Sequence, residues 1–365
     1  MSKLEELLKE LCPEGVEYKE LKDILTIKNG RDYKNFGQGD IPVYGSGGIM
    51  TYVDRFSYNK PSVLIPRKGS IDKLYFVDTP FWNVDTIFYT EINSTIVEPK
   101  YVYYCLQKMH LEELNTAGGV PSLTQKVLNK VAIPIPPLPV QNEIVRILDN
   151  FTELTAELTA ELTAELTARK KQYEYYRKEL LTFSDDVPKM RLGDNCDMKA
   201  GKAIKSALIS VVKSDKTNYE CFGGNGVRGY VSEPNQNGDS PIIGRQGALC
   251  GNVNYATGDF YATEHAVVVK SKGAYTQRFL FYLLKDMNLN QYKSQGAQPG
   301  LAVKNIEELL VGVPSIDRQN RIVELLDRFN TFCNDISTGL PAEIAARTKQ
   351  YEYYRDKLLT CPERA

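Results

Sequence analysis

Two short stretches carry the side chains best suited to meeting a base pair. IPRKGSI (65–71) and IGRQGAL (243–249) each set an arginine and a second donor, Arg67-Lys68 and Arg245-Gln246, beside a turn glycine. Arg or Lys suits guanine, Asn or Gln suits adenine, and a phosphate takes any donor. A second pair of glycine-rich stretches, YGSGGIMTYV (44–53) and FGGNGVRGYV (222–231), offers Ser46 in one and Asn225 and Arg228 in the other. Lys34, Lys73, Lys202 and Lys205 are candidates for phosphate contact. For every one of these the plainer alternative is a solvated turn charge or a surface ion pair. Trp82 and His265 are expected in the core, and the tyrosines of QYEYYR between helices.

Other chemistries find little to work with. His110 and His265 are the only histidines, too few for a zinc site or a histidine-based triad. The seven cysteines form no CxxC pair, which points to reduced thiols in a cytoplasmic protein. With 45 basic and 46 acidic residues, no global field draws the chain to nucleic acid or membrane, so any basic surface is local. There is no run of 18 apolar residues, and the opening MSKLEELLKEL reads as an amphipathic helix rather than a signal peptide. FGGNG (222–226) fits a pattern that binds S-adenosylmethionine in adenine methyltransferases. Yet no N-P-P-Y or D-P-P-Y tetrad is present to hold a flipped adenine, and VRGYVSEP after it reads as strand and turn. No G-x-x-x-x-G-K-[ST] loop exists for ATP.

What must position the candidate residues is a duplication. RKKQYEYYRKELLT (169–182) returns as RTKQYEYYRDKLLT (347–360), identical at 11 of 14 positions and offset by 178. The same offset relates PVQNEIVRILDNF (139–151) to DRQNRIVELLDRF (317–329) and pairs both sets of glycine-rich stretches. In each copy short β-branched and aromatic runs are broken by Gly, Asn and Pro, as strands and turns are. A helix pattern follows (EPKYVYYCLQKMHLEEL; AYTQRFLFYLLKDMNL), then an apolar run closed by proline. Each copy is therefore mixed α+β and long enough for its own core.

From Gln141 to about Leu181 no Gly or Pro interrupts the chain, and such a helix spans on the order of 60 Å. Its stripe includes Leu154, Leu158, Leu162, Leu166, Tyr173 and Tyr176. The offset carries these onto Phe332, Ile336, Leu340, Ile344, Tyr351 and Tyr354, all apolar or aromatic. Two helices packed on each other would keep such a stripe. Gly339-Leu340-Pro341 is expected to break the second helix, proline restarting it at an early position. The run ELTAELTAELTAEL (153–166) steps by four, so its leucines drift about 40° per unit. It is a poor endless seam but a good spacer, adjustable in whole turns.

These residues resemble the specificity subunits of type I restriction–modification enzymes, over essentially the whole chain. The resemblance rests on IPIPPLPVQNEIVRILDNF, the tandem TAEL units, both QYEYYR copies and GLPAEI. Tandem TAEL units mark one branch of that family. Departures are mild: PVQN and DRQN stand where a glutamate usually precedes the glutamine. The resemblance implies an α+β chain with two target recognition domains in tandem, 1–140 and 185–317. They are separated by two long helices, 141–184 and 318–365, that form an antiparallel coiled coil with internal pseudo-twofold symmetry. Each domain would read one half of a bipartite site in double-stranded DNA. The helices would set the gap and dock two methyltransferase subunits, with restriction–translocase subunits joining that core. The chain itself would be non-catalytic and bind no cofactor or metal, S-adenosylmethionine, ATP and Mg2+ being used by the partners. A stand-alone bilobed DNA-binding protein is the other reading the residues allow.

Overall fold

In the computed structural model, residues 2–115, 121–247, 249–294, 299–334 and 339–364 are described. They fall into two compact units, 1–161 together with 344–365, and 162–343.

The first unit begins with the amphipathic helix Lys3–Leu11, closed at its start by a reciprocal pair: Ser2 Oγ accepts from Glu5 N, and the Glu5 carboxylate accepts from Ser2 N. A four-stranded antiparallel sheet runs in the order Leu25–Asn29, Ile87–Ile92, Ser62–Pro66, Tyr75–Val77. A three-stranded sheet places Ile41–Gly45 between Gly48–Val53, antiparallel, and Trp82–Asn83, parallel. A third pairing joins Glu17–Glu20 to Ala132–Ile135. Val63, Ile65, Tyr101, Leu106, Ile133, Ile144 and Leu148 share one buried cluster, so the sheet, the helix Pro99–Lys108 and the start of the spacer helix have a common core.

The second unit repeats this strand for strand. Its four-stranded sheet is Cys196–Ala200, Ala266–Ser271, Ser240–Gly244, Val253–Ala256, and its three-stranded sheet is Gly226–Val231, Tyr219–Gly223, Phe260–Ala262. Even the irregularities repeat, with register breaks between Val43 and Tyr44 and between Cys221 and Phe222. The offset of 178 is not uniform, however. Strands Leu25–Asn29 and Cys196–Ala200 correspond at 171, because the connection that follows has 11 residues in the first unit and 18 in the second. Both post-sheet helices also end sooner than their patterns suggest. His110 (φ 45°) and Asn288 (φ 47°) turn left-handed after Pro99–Lys108 and Gln277–Asp286, and a short 3-10 turn follows each.

The first unit is completed by the end of the chain. Val16 N donates to Pro362 O (2.9 Å), Arg364 N to Val16 O (3.0 Å), and Tyr18 Oη to Cys361 O (3.0 Å).

The spacer helix is Leu138–Leu181, 44 residues long. Its counterpart is two helices, Ile316–Asn334 and Leu340–Leu358, with Pro341 in the first turn of the latter, where its missing N–H costs nothing. Ile336 lies outside the described residues. Within each unit two helix segments run antiparallel. Phe151 meets Tyr354 and Thr152 meets Tyr351 in the first unit, and Tyr176 stacks on Phe329 in the second. The stripe is less evenly buried than the sequence suggests. Ile144, Leu148, Tyr173 and Leu340 are buried, Leu158, Leu162, Leu166 and Ile344 are half-buried, and Leu154 is 60 % exposed. A four-residue step rotates successive leucines about the axis, so they cannot all face one partner.

A buried glutamine fixes each helix to its sheet unit. Gln141 accepts from Glu98 N (2.8 Å) and donates to Ile96 O (3.1 Å) and Pro136 O (2.7 Å). Gln319 does the same with Thr276 N (2.8 Å), Ala274 O (2.8 Å) and Pro314 O (2.9 Å).

Candidate nucleic-acid interface

The paired glycine-rich stretches, far apart in sequence, come together in each unit. In the first, Ile41–Gly45 and Gly48–Val53 form a hairpin with Ser46 at its tip, and Arg67-Lys68 leave the end of Ser62–Pro66. Thr86 joins the two. Its carbonyl accepts from Arg67 N (2.8 Å) and Lys68 N (3.3 Å), and its hydroxyl accepts from Ser46 N (3.4 Å). Tyr75 Oη closes the arrangement by donating to Ser46 O (3.3 Å). The Arg67 guanidinium sits 5.9 Å from the Phe88 ring centroid and is half-buried, while Lys68 is exposed.

The second unit builds the same junction with different side chains. Arg245 N donates to His265 O (3.0 Å), and Leu301 N to Arg245 O (2.8 Å), just as Leu123 N donates to Arg67 O (2.9 Å). Gly244 allows the approach: a Cβ there would stand 1.8 Å from the Gly224 carbonyl oxygen. Asn225, Arg228, Gln246 and His265 line an open cleft of about 680 Å³. Three of these are residues the sequence singled out.

The lysines are placed elsewhere. Lys34 is 81 % exposed and 3.7 Å from Asp32, on the connection after Leu25–Asn29. Lys202 and Lys205 are exposed on the corresponding connection, and Lys73 is exposed in the turn after the Arg67 loop. None of the four lines the cleft of the second unit.

His265 is not a core residue. Its side chain is 37 % exposed at the cleft, with Nε2 3.2 Å from Glu264 Oε1. Its counterpart is Thr86, one residue off the 178 offset, so the repeat does not reveal it. Trp82 is half-buried against Phe36 and donates Nε1 to Arg31 O (2.9 Å). Of the QYEYYR tyrosines, Tyr173 is buried and Tyr176 stacks on Phe329, but Tyr175 and Tyr353 are each 61 % exposed.

FGGNG is a hairpin tip, Gly226 taking φ 98°, with strands on both sides and no helix opening beneath it. A methyltransferase cofactor loop needs that helix.

Comparison with known proteins supplies the family. The type I restriction modification DNA specificity domain matches residues 13–168 and 184–346. The chain belongs to that family. It is similar to the type I restriction enzyme EcoprrI specificity subunit of Escherichia coli, at 39 % identity over 92 % of this chain and 93 % of that one. A specificity subunit of Haemophilus influenzae, named as putative, is 31 % identical over 94 % and 95 %. Among solved structures, a chain from work on complex assembly and conformational transition of the type I system shares the fold. It has a TM-score of 0.72 over 95 % of this chain and 98 % of that one, at 14 % identity. As a specificity subunit the chain is non-catalytic, and S-adenosylmethionine, ATP and Mg2+ belong to the partner subunits. Among the described residues no helix is long and apolar enough to cross a membrane.

Proposed function

We propose that the two units read the two halves of a bipartite site in double-stranded DNA, and that the helices set the distance between the halves. Residues 1–140 and 185–317 act as the readers, and 141–184 with 318–365 as the spacer. The observation that carries this reading is the repeated junction of hairpin tip and arginine loop: same backbone, different side chains. One scaffold used twice with different side chains is what reading two different sequences requires. Arg67, Lys68 and Ser46 face the first half-site, and Arg245, Gln246, Asn225 and Arg228 the second. Lys34, Lys73, Lys202 and Lys205 contact phosphates nearby.

The spacer also docks two methyltransferase subunits, one on each repeated helix pair, and restriction–translocase subunits join that core. The exposed aromatics Tyr175, Tyr176, Tyr353 and Tyr354 support this, since a large apolar surface repeated at the same helical positions suits two copies of one partner. The four-residue repeat supports membership of the TAEL branch. Seven free cysteines support a cytoplasmic setting.

Exchanging residues 185–317 for the recognition domain of another family member tests the division of labour. With the methyltransferase subunits present, the hybrid should methylate a site changed in one half only. Methylation of the original bipartite site would refute it, and failure of the native chain to co-purify with the methyltransferase would refute the docking.

A further inference from the structure

The two junctions share their backbone, so positions where they differ can be compared directly. Thr86 and His265 are the strongest such pair. Each carbonyl accepts the N–H of the arginine, Arg67 or Arg245, and each residue immediately precedes the matching strand, Ile87–Ile92 or Ala266–Ser271. Each also lies against the hairpin tip. Ser46 N donates to Thr86 Oγ1, and a Cβ on Gly224 would stand 3.7 Å from His265 Cβ.

The polar groups around the two positions differ. In the first unit Thr86 and Tyr75 tie themselves to Ser46. In the second, Asn254 occupies the register position of Tyr75, opposite Ile242 as Tyr75 is opposite Leu64. Among the described residues there, Arg245 Nε, Asn254 Nδ2, Glu264 Oε2 and His265 Nδ1 are buried with no hydrogen-bond partner. Such groups carry a desolvation cost that a purely structural turn would shed. Four such atoms gather at this one junction. His265 stands at the cleft itself, with its ring partly open.

We propose that position 86/265 is a specificity-determining position, Thr86 for the first half-site and His265 for the second. This rests on the two-reader function proposed above. A threonine offers a hydroxyl and a methyl group, the latter suited to the thymine methyl. An imidazole held at Nε2 by Glu264 offers the open edge of a flat ring. The ligand is the major-groove edge of one base pair in each half-site.

The test uses His265→Thr, which copies the first unit's residue, and Arg245→Ala. Each is made in the full chain, co-expressed with its methyltransferase subunits in a host lacking DNA methylation, and methylated positions are mapped on that host's genomic DNA. His265→Thr should lower the preference at one base position of the second half-site about tenfold. The first half-site and the gap should stay as in the native complex. A second half-site unchanged by His265→Thr but altered by Arg245→Ala would overturn this inference and leave the two-reader function standing. If both variants left it unchanged, that function would fall as well. Should His265→Thr not assemble, His265→Asn, closer in size and polarity, serves with the same expected and contrary results.

Discussion

The rings of Phe151 and Tyr354 lie 6.1 Å apart, and those of Phe329 and Tyr176 lie 5.9 Å apart. Residue by residue, the second contact is the first shifted by 178, with the partners' chain order reversed. Each contact pairs the start of one spacer segment with the end of the other. Paired rings contribute about 0.5–1.5 kcal/mol beyond their area burial. A double-mutant cycle on Phe151→Ala and Tyr354→Ala, read by urea unfolding, should return a coupling energy in that range. The Phe329 and Tyr176 cycle should match it. Additive single effects in either cycle would mean that the helices are held by something else.

Gln141 and Gln319 predict a larger loss. Each is fully buried with three hydrogen bonds to backbone groups. Replacing Gln141 by leucine strands one N–H and two carbonyls, and about 3 kcal/mol of destabilisation is expected. Hydrogen exchange should show protection falling in the first unit and unchanged in the second, and Gln319→Leu should do the reverse. A loss spread equally over both units would contradict the local clamp.

Glu143 provides a pH prediction. Hydrogen bonding from Arg146 (2.7 Å) and then Lys3 (3.1 Å) holds its carboxyl at about 2, below its ordinary value of 4.5, although its side chain is only 2 % exposed. A folded-state value below the unfolded one stabilises the fold above pH 4.5, and that contribution is lost as pH falls toward 2. Urea midpoints of the native chain should therefore drop more steeply over that window than those of Glu143→Gln. Parallel curves would show that the pairing contributes nothing.

Much of this was legible from the chain alone, and the reason is the duplication. Identity at 178-residue spacing marks equivalent positions, so the strands, the helix stripe and the Gly-Leu-Pro break could be placed by comparing one half with the other. The correspondence breaks where the halves differ in length. The longer connection before Tyr219 shifts the earlier strands to an offset of 171, and another one-residue step hides the match of Thr86 to His265. Without that match a lone histidine carries no spacing signal, and its residue type alone suggests a core position. The early helix ends were also hidden, since an Asn or His in the left-handed region looks like any polar helix residue. The exposure of Leu154 follows from the same four-residue drift that marked the run as a spacer.

The two arginines test whether the loops read separately. Arg67→Ala should weaken discrimination in one half-site and Arg245→Ala in the other, each by about 1–3 kcal/mol if a base contact is lost. Competition binding with DNA duplexes altered in one half at a time measures this. One substitution that degrades both halves equally would contradict separate readers.

The most direct measurement of the whole account inserts one TAEL unit within residues 155–166 and maps the methylated sites. Four helical residues add about 6 Å and about 40° of rotation. One base pair advances about 3.4 Å and about 35°. The rotation nearly matches a single base pair, and spacer tilt or DNA bending takes up the extra length. Both half-site sequences should therefore persist with the gap between them widened by one base pair, whereas inserting two residues, which turns the stripe about 200°, should damage activity. An unchanged gap, or a changed half-site, would show that the helix does not set the distance.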